Sequence, residues 1–487
     1  MGLFEVGRNC WRVERADQAA VIIDACDYYR VVRQAMLKAQ HRILIIGWDF
    51  DPRIRLDRTG EGDKDETLGS FLLGLAKRKP DVPILILKWN VGALKTLFRG
   101  TAIGWVIRLA LTKAIRFRLD SAHPVGCSHH QKIVVIDDTF AICGGIDMTG
   151  DRWDRSAHAD DDPDRVRPNG YPYGPWHDAT MAIDGAAAAG IAAVARDRWA
   201  RATGEKLEPI EGAAGIWPEE LEPRYRGVDL AIARTTAAYR DYPHTKEVEA
   251  LFLDMIAAAR RFIYIENQYF TSPKLAAAII ERMQEPEPPE IVLIGPLKAE
   301  GWLEQVAMDA TRVRLAQLIG RSDPRNRFRI YTPKTAGGED IYVHAKIMIV
   351  DDRILRVGSS NMNNRSLGLD SECDLALEAR GEQEQGVIAG LRTRLMAEHL
   401  GVDEDAVASS FAQTGSLIAT IDALTHPGKR LEQLPVETPS EVASFIAETE
   451  LLDPKSPDQM FEDMTRRSLF EGVRKRLRRR RMATTPA

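Results

Sequence analysis

IVVIDDTFAICGGID, running from Ile133 to Asp147, is matched in step by IMIVDDRILRVGSSN, from Ile347 to Asn361. Just ahead of each copy stand a histidine and a lysine. Together they form the pattern His-x-Lys-x-x-x-x-Asp twice, once as His130, Lys132 and Asp137 and again as His344, Lys346 and Asp351. Gly144 and Gly358 lie at the same offset from their histidines, as do Asp147 and Asn361. This is a duplicated unit. A histidine from each of two related halves suits a two-step displacement at phosphorus, in which one imidazole attacks while the other protonates the leaving oxygen.

The duplication extends upstream. Arg42-Ile-Leu-Ile-Ile-Gly-Trp-Asp-Phe parallels Arg261-Phe-Ile-Tyr-Ile-Glu-Asn-Gln-Tyr, and each follows an Ala-rich stretch with helical character. Further short apolar runs, Pro83 to Lys88, Thr180 to Ile183, Glu290 to Ile294 and Phe328 to Tyr331, alternate with helical stretches such as Leu68 to Lys77 and Ala188 to Ala200. Strands that are nearly all apolar and alternate with helices predict an α/β fold with sheets covered on both faces. The spacing divides the chain into a first half over 1–215, a second half over 216–402, and a helical extension with a basic tail over 403–487. The segment HADDDPDRVRPNGYPYGPWHD reads as a long solvated loop, and its aspartates lack the alternation and turn glycine of a calcium loop.

Composition narrows the function classes. Hydrophobic residues make up 44% of the 487 and charged residues 28%, which is globular. A net charge of −5 argues against a surface built throughout for nucleic acid. Five cysteines without CxxC spacing suggest neither a disulfide framework nor a zinc site, and HHQK is not a metal spacing. No cofactor and no metal are expected. Neither a secretory signal nor a membrane-spanning run is read, so a cytoplasmic protein, or one peripheral to a membrane, is expected. From Arg466 to Arg481 nine lysines and arginines meet one acid, Glu471, a surface that suits anionic lipid. The stretch Leu94 to Arg118 is either a membrane-interface segment or an amphipathic helix that leads into a strand.

The motifs define a candidate site. On a straight strand, alternate residues share a face about 7 Å apart, so each histidine and its lysine reach one ligand. Two lysines and two imidazoles would stabilise a charge-dense phosphoryl transition state. Asp137 and Asp351 fall on the opposite face, about 23 Å along a straight strand, and so are structural rather than orienting. The carboxylates expected to orient the imidazoles are Asp178 and Glu372, each opening a strand-like run, with Asp374 and His177 as the nearest alternatives. Gly144, Gly145, Ser359 and Asn361 are candidates for holding phosphate through backbone amides and short polar side chains. His129 should face away from its neighbour His130.

These residues resemble the phospholipase D superfamily, whose signature is the paired pattern. The blocks IIGWDFDP, GGIDMTGDRWD, PWHDATMAIDG, YIENQYFTS and VGSSNMNNRSL extend the resemblance to the phospholipase D proper branch over Ile43 to Ala379. The resemblance implies two α/β halves about a pseudo-twofold axis with one site at their junction, so that a single chain suffices. It implies His130 as nucleophile, His344 as general acid, and Lys132, Lys346 and Asn361 as phosphate ligands. Asp147, a carboxylate, is a poor phosphate ligand and should bond structure instead. The implied activity is cleavage of glycerophospholipid head groups at a membrane surface through a phosphohistidine, giving phosphatidic acid, with transphosphatidylation to other alcohols. Alternatives are a cardiolipin synthase-like phosphatidyltransferase, a nuclease of the same superfamily, which the acidic balance disfavours, and a non-enzymatic membrane module using the tail.

Overall fold

The computed structural model describes residues 2–58, 66–90, 102–212, 215–299 and 302–434. The sequence also reads as a helix over Thr438 to Glu448; that segment and the basic tail lie outside the described residues, as do residues 91–101 ahead of the Ala102–Ala110 helix.

The strands of the first half are β1 (Arg12–Ile23), β2 (Ile43–Gly47), β3 (Ile84–Trp89), β4 (Ile115–Asp120), β5 (Ile133–Ile136), β6 (Phe140–Gly144), β7 (Trp176–His177) and β8 (Ala179–Asp184). Those of the second are β9 (Tyr225–Thr236), β10 (Thr245–Lys246), β11 (Phe262–Asn267), β12 (Glu290–Ile294), β13 (Phe328–Lys334), β14 (Tyr342–Val343), β15 (Lys346–Val350), β16 (Ile354–Gly358) and β17 (Glu372–Glu378), with β18 (Arg430–Gln433) beyond them. Among the described residues all but β7 and β14 form one 16-stranded sheet. At its centre β1 and β9 pair antiparallel, Arg12 opposite Ile232 and Ala19 opposite Tyr225. Outward from that seam the order is β1-β8-β6-β5-β2-β3-β4 on one side and β9-β17-β16-β15-β11-β12-β13 on the other. The two sequences of elements correspond one for one, and the antiparallel seam relates them by a pseudo-twofold axis. The duplicated unit therefore begins earlier than the paired arginines, at β1 and β9.

Period-two patterning places the core. In β2, Leu44 and Ile46 face one layer while Ile43 and Ile45 face another; in β15, Ile347 and Ile349 face the first layer while Met348 and Val350 face a third. The first layer is shared by both halves and is covered by the helices Gly185–Thr203 and Glu382–Leu400. The opposite faces are covered separately, by Asp24–Lys38 and Leu68–Arg78 in one half and by Glu247–Ala258 and Pro273–Met283 in the other. The shared layer holds the two motif hairpins in fixed relation.

The extension after Gly401 differs from its reading as helices alone. Two helices, Glu404–Thr414 and Leu417–Leu424, are followed by β18, which adds to the sheet edge antiparallel to β13. The HADDDPDRV stretch is packed rather than solvated: His158 is fully buried, Arg165 is 2% exposed, and Asp160 accepts the backbone N–H of Gly337 in the other half at 2.8 Å. In the Ala102–Ala110 helix Leu109 is buried and Trp105 lies against Gly69, while Ile107 and, just beyond, Leu111 are exposed.

Candidate active site

Each histidine is set beside the other half's carboxylate by a short parallel pairing between halves. β14 pairs with β7, Tyr342 opposite Trp176 and Val343 opposite His177, and the His344 N–H donates to the His177 carbonyl at 2.7 Å. On the other side His129 bridges Ser371, and the His130 N–H donates to the Ser371 carbonyl at 3.0 Å. In both cases the next residue in the chain is an acid, Asp178 or Glu372. The histidine of one half is thereby held against the carboxylate of the other.

His344 Nδ1 lies 2.7 Å from Asp178 Oδ2, and His130 Nδ1 lies 2.9 and 3.0 Å from the two Glu372 oxygens. An Nδ1–H donated to a carboxylate leaves Nε2 with its lone pair, the tautomer a nucleophile or base requires. Both rings are held neutral. Burial and the ammonium groups of Lys132 and Lys346 hold His130 well below the ordinary imidazole value; burial, Lys346 and Arg152 do the same to His344. Burial also raises Asp178 and pushes Glu372 up to about 8, although Ser359 donates its hydroxyl to Glu372 Oε2 at 2.5 Å. Each neutral imidazole is thus held through its Nδ1 against a buried carboxyl group of the other half.

The lysines converge on the same space. Lys132 precedes β5 and Lys346 opens β15; each ammonium returns to the carbonyl of its own motif histidine. Lys346 also donates to Gln268 Oε1 at 3.2 Å, and burial pushes it down to about 7. Asn361 Nδ2 donates to the same Gln268 oxygen at 3.4 Å, while its buried Oδ1 has no hydrogen-bond partner among the described residues. Trp176 stacks on Tyr342, with ring centroids 4.5 Å apart, and its centroid lies 5.3 Å from that of His344. The Arg152 guanidinium caps the same indole at 4.1 Å. Gln268, Trp176, Tyr342 and Arg152 escape sequence reasoning because they lie outside the eight-residue pattern, though Gln268, Trp176 and Arg152 sit in the blocks quoted above.

Several expected site residues are placed elsewhere. The Gly144 and Gly145 amides are spent within the sheet, on the Lys132 and Ala179 carbonyls at 3.3 and 2.9 Å, so they do not face a ligand. Their role is clearance: a Cβ on Gly145 would stand 2.1 Å from Asp178 Oδ1, and one on Gly144 2.4 Å from the Thr180 Cα. Ser359, fully buried, bonds Glu372 rather than a ligand. Asp137 and Asp351 occupy the hairpin turns at positive φ, 53° and 56°. Asp137 accepts the amides of Gln40, His41 and Arg42 at 2.6, 2.7 and 2.7 Å; Asp351 accepts those of Arg260, Arg261 and Phe262, each at 2.8 Å. Asp147 accepts from Trp48 N at 3.0 Å and lies 3.3 Å from Lys132 Nζ. Asp374 is paired with the buried Arg356, His129 turns to Ser371 Oγ at 2.9 Å, and His177 points away from both dyads.

Fold and geometry together define a two-half architecture in which each half sets its motif histidine against a carboxylate of the other. Residues 35–214 match the family described as Phospholipase D and residues 252–388 the one described as Cardiolipin synthase, PLD-like domain, together well over half of the chain. The chain belongs to the phospholipase D superfamily and falls with its phospholipase D branch. Among curated relatives, phospholipase D delta of Arabidopsis thaliana is 25% identical, the match covering 76% of this chain and 62% of that one. Phospholipase D A of Dictyostelium discoideum is 25% identical over 81% of this chain and 36% of that one, and phospholipase D alpha 1 of Nicotiana tabacum 26% identical over 76% and 63%. The chain thus spans between about a third and just under two thirds of these relatives' lengths. The solved structure of phosphatidylserine synthase from Haemophilus influenzae shares the fold, with a TM-score of 0.55 and 14% identity over 80% of this chain and 88% of that one.

Proposed function

We propose that the protein cleaves the head-group phosphodiester of glycerophospholipids through a phosphohistidine, giving phosphatidic acid and an alcohol, with transfer to other alcohols as a second outcome. The observation that carries this reading is the crossed pair of dyads, His130 with Glu372 and His344 with Asp178. His130 Nε2 attacks phosphorus while His344 delivers a proton to the departing alcohol oxygen. In the second step His344 takes a proton from water or an acceptor alcohol, whose oxygen displaces His130. Lys132, Lys346 and Asn361 bind the non-bridging oxygens, and Glu372 and Asp178 fix the tautomers and stabilise the imidazolium forms. Both dyads come from one chain, so no second copy is needed to complete the site.

The substrate meets the protein at a membrane surface. Among the described residues no helix is long and apolar enough to cross a membrane. The cationic segment Arg466 to Arg481 binds anionic lipid, and nucleic acid is not a substrate, in line with the net charge of −5. The test is product identification by mass spectrometry after incubation with mixed phospholipid vesicles and a primary alcohol. Phosphatidic acid and a phosphatidyl-alcohol are expected from the unaltered protein and neither from His130→Ala or His344→Ala. The absence of any lipid product would overturn the reading. The match of residues 252–388 to the cardiolipin synthase-type domain favours one second reading, phosphatidyl transfer as the main reaction. Phosphatidylglycerol as sole lipid separates the two: diphosphatidylglycerol as main product supports transfer, and phosphatidic acid supports hydrolysis.

A further inference from the structure

Behind the Asp178–His344 dyad lies a second constellation of histidines and carboxylates that the reaction does not use. Asp24 begins the helix after β1, His158 comes from the packed loop, His177 from β7, and Glu398 from the Glu382–Leu400 helix of the other half. Glu398 Oε1 lies 2.8 Å from His177 Nδ1 and 3.1 Å from His158 Nε2. Asp24 Oδ1 lies 3.2 Å from His177 Nδ1, and Asp24 Oδ2 3.7 Å from His158 Nε2. One such atom from each residue falls within 4.8 Å of all the others. Four ligands at the bond lengths of zinc mark a tetrahedron with edges of about 3.3 Å.

Three features separate this constellation from an ordinary buried ion network. First, both rings are buttressed on their far nitrogens by a different carboxylate: His158 Nδ1 by Asp154 Oδ2 and His177 Nε2 by Glu266 Oε2, each at 2.9 Å. That is the arrangement that fixes the tautomer of a metal-ligating histidine. Glu266 is itself held by Tyr264 and His399, at 2.6 and 2.9 Å. Second, among the described residues His177 Nδ1, on a ring with no exposed surface, makes no hydrogen bond, and Glu398 Oε2 is likewise unpartnered. Third, the four side chains converge from separated segments of both halves, Asp24, His158 and His177 from the first and Glu398 from the second, so the cluster is not the local ion pairing of one element.

We propose that Asp24, His158, His177 and Glu398 form a structural site for a divalent transition ion of the zinc type. The chemistry fits: two imidazoles and two carboxylates from four separated segments, closed off from solvent, with no open position for a reacting water. Its consequence reaches the catalytic pair. The Asp24 N–H donates to the Asp178 carbonyl at 2.8 Å, the Asp178 N–H to Asp24 Oδ1 at 3.2 Å, and the His344 N–H to the His177 carbonyl. An ion held here fixes the backbone of both members of that dyad and ties the two halves together through Glu398.

The test uses the full chain purified without a histidine tag from zinc-supplemented medium. Elemental analysis should find about one zinc per chain, retained in His344→Ala and lost in His158→Ala and Glu398→Gln. Chelation should lower the unfolding midpoint by several degrees and added Zn²⁺ should restore it; Co²⁺ loaded in its place should give the strong visible bands of a four-coordinate site. Should a variant fail to fold, the unaltered protein's metal content and cobalt spectrum still decide. A folded protein that holds no metal, takes up none, and unfolds at the same temperature with or without chelator overturns the proposal. So does metal retained at full stoichiometry in both His158→Ala and Glu398→Gln.

Discussion

Replacing Glu372 by glutamine removes a carboxyl that burial pushes from 4.5 up to about 8. That gap, at ~1.36 kcal/mol per pH unit, amounts to roughly 5 kcal/mol, an upper bound on what ionising this group costs the folded state. The sign follows from the direction. An acid raised in the folded state contributes its full stability below the unfolded value and loses it as pH rises through the folded value. The unaltered protein should therefore weaken between about pH 4.5 and about pH 8 by an amount that Glu372→Gln does not share. Urea unfolding at about pH 5 and about pH 9 measures this, and the variant should be relatively more stable at the higher pH. Turnover moves the other way. The glutamine oxygen still accepts from His130 Nδ1, 2.9 Å away, but carries no charge to stabilise the imidazolium, so kcat should fall by roughly a hundredfold or more. Parallel loss of stability with pH in both proteins would refute the buried, reluctant carboxyl and with it this account of the His130 dyad.

Gly145→Ala should cost turnover about a hundredfold, since its Cβ would meet Asp178 Oδ1 at 2.1 Å and displace it from His344; Gly386→Ala, with nothing within 4 Å, should gain about 0.4–1 kcal/mol in unfolding and leave turnover unchanged. Asp374→Asn should destabilise by roughly 3–5 kcal/mol in calorimetry, because it strands the Arg356 guanidinium, which has no exposed surface. Inhibition by sulfate should weaken as pH rises through about 7, where Lys346 loses its proton, and should hold level in Lys346→Arg, whose guanidinium stays charged.

The duplicated pattern made the α/β halves and the two histidine–lysine pairs legible, because register between two copies survives where single motifs are ambiguous. Strand runs such as Glu290–Ile294 were legible for the same reason that they are buried on both faces. The long β1 and β9 were not: their opening stretches, RVERADQ and YRGVD, are charged and only partly buried, and the apolar runs that follow, Ala19–Ile23 and Leu230–Ala233, are too short to mark twelve-residue strands. The acids Asp178 and Glu372 could be singled out at strand openings, but which histidine each serves could not. The partners are 166 and 242 residues apart, and only the β7–β14 and His129–Ser371 pairings decide the crossing. Glycines 144 and 145 read as amide donors because a glycine pair serves either a ligand or a close-packed side chain, and sequence carries no sign of the Asp178 carboxylate beside them. His158 was hidden within a polar, turn-rich stretch whose charges are paired inward rather than solvated.

The most direct test of the two-histidine account is trapping of the covalent intermediate. His344→Ala and His130→Ala proteins would be mixed with a glycerophospholipid bearing an activated leaving group, quenched in base, digested and analysed by mass spectrometry. The account predicts a phosphatidyl adduct on the peptide containing His130 in His344→Ala, and none on either histidine in His130→Ala. An adduct on His344 with His130 unmodified, or turnover by the unaltered protein with no adduct on any histidine, would contradict it.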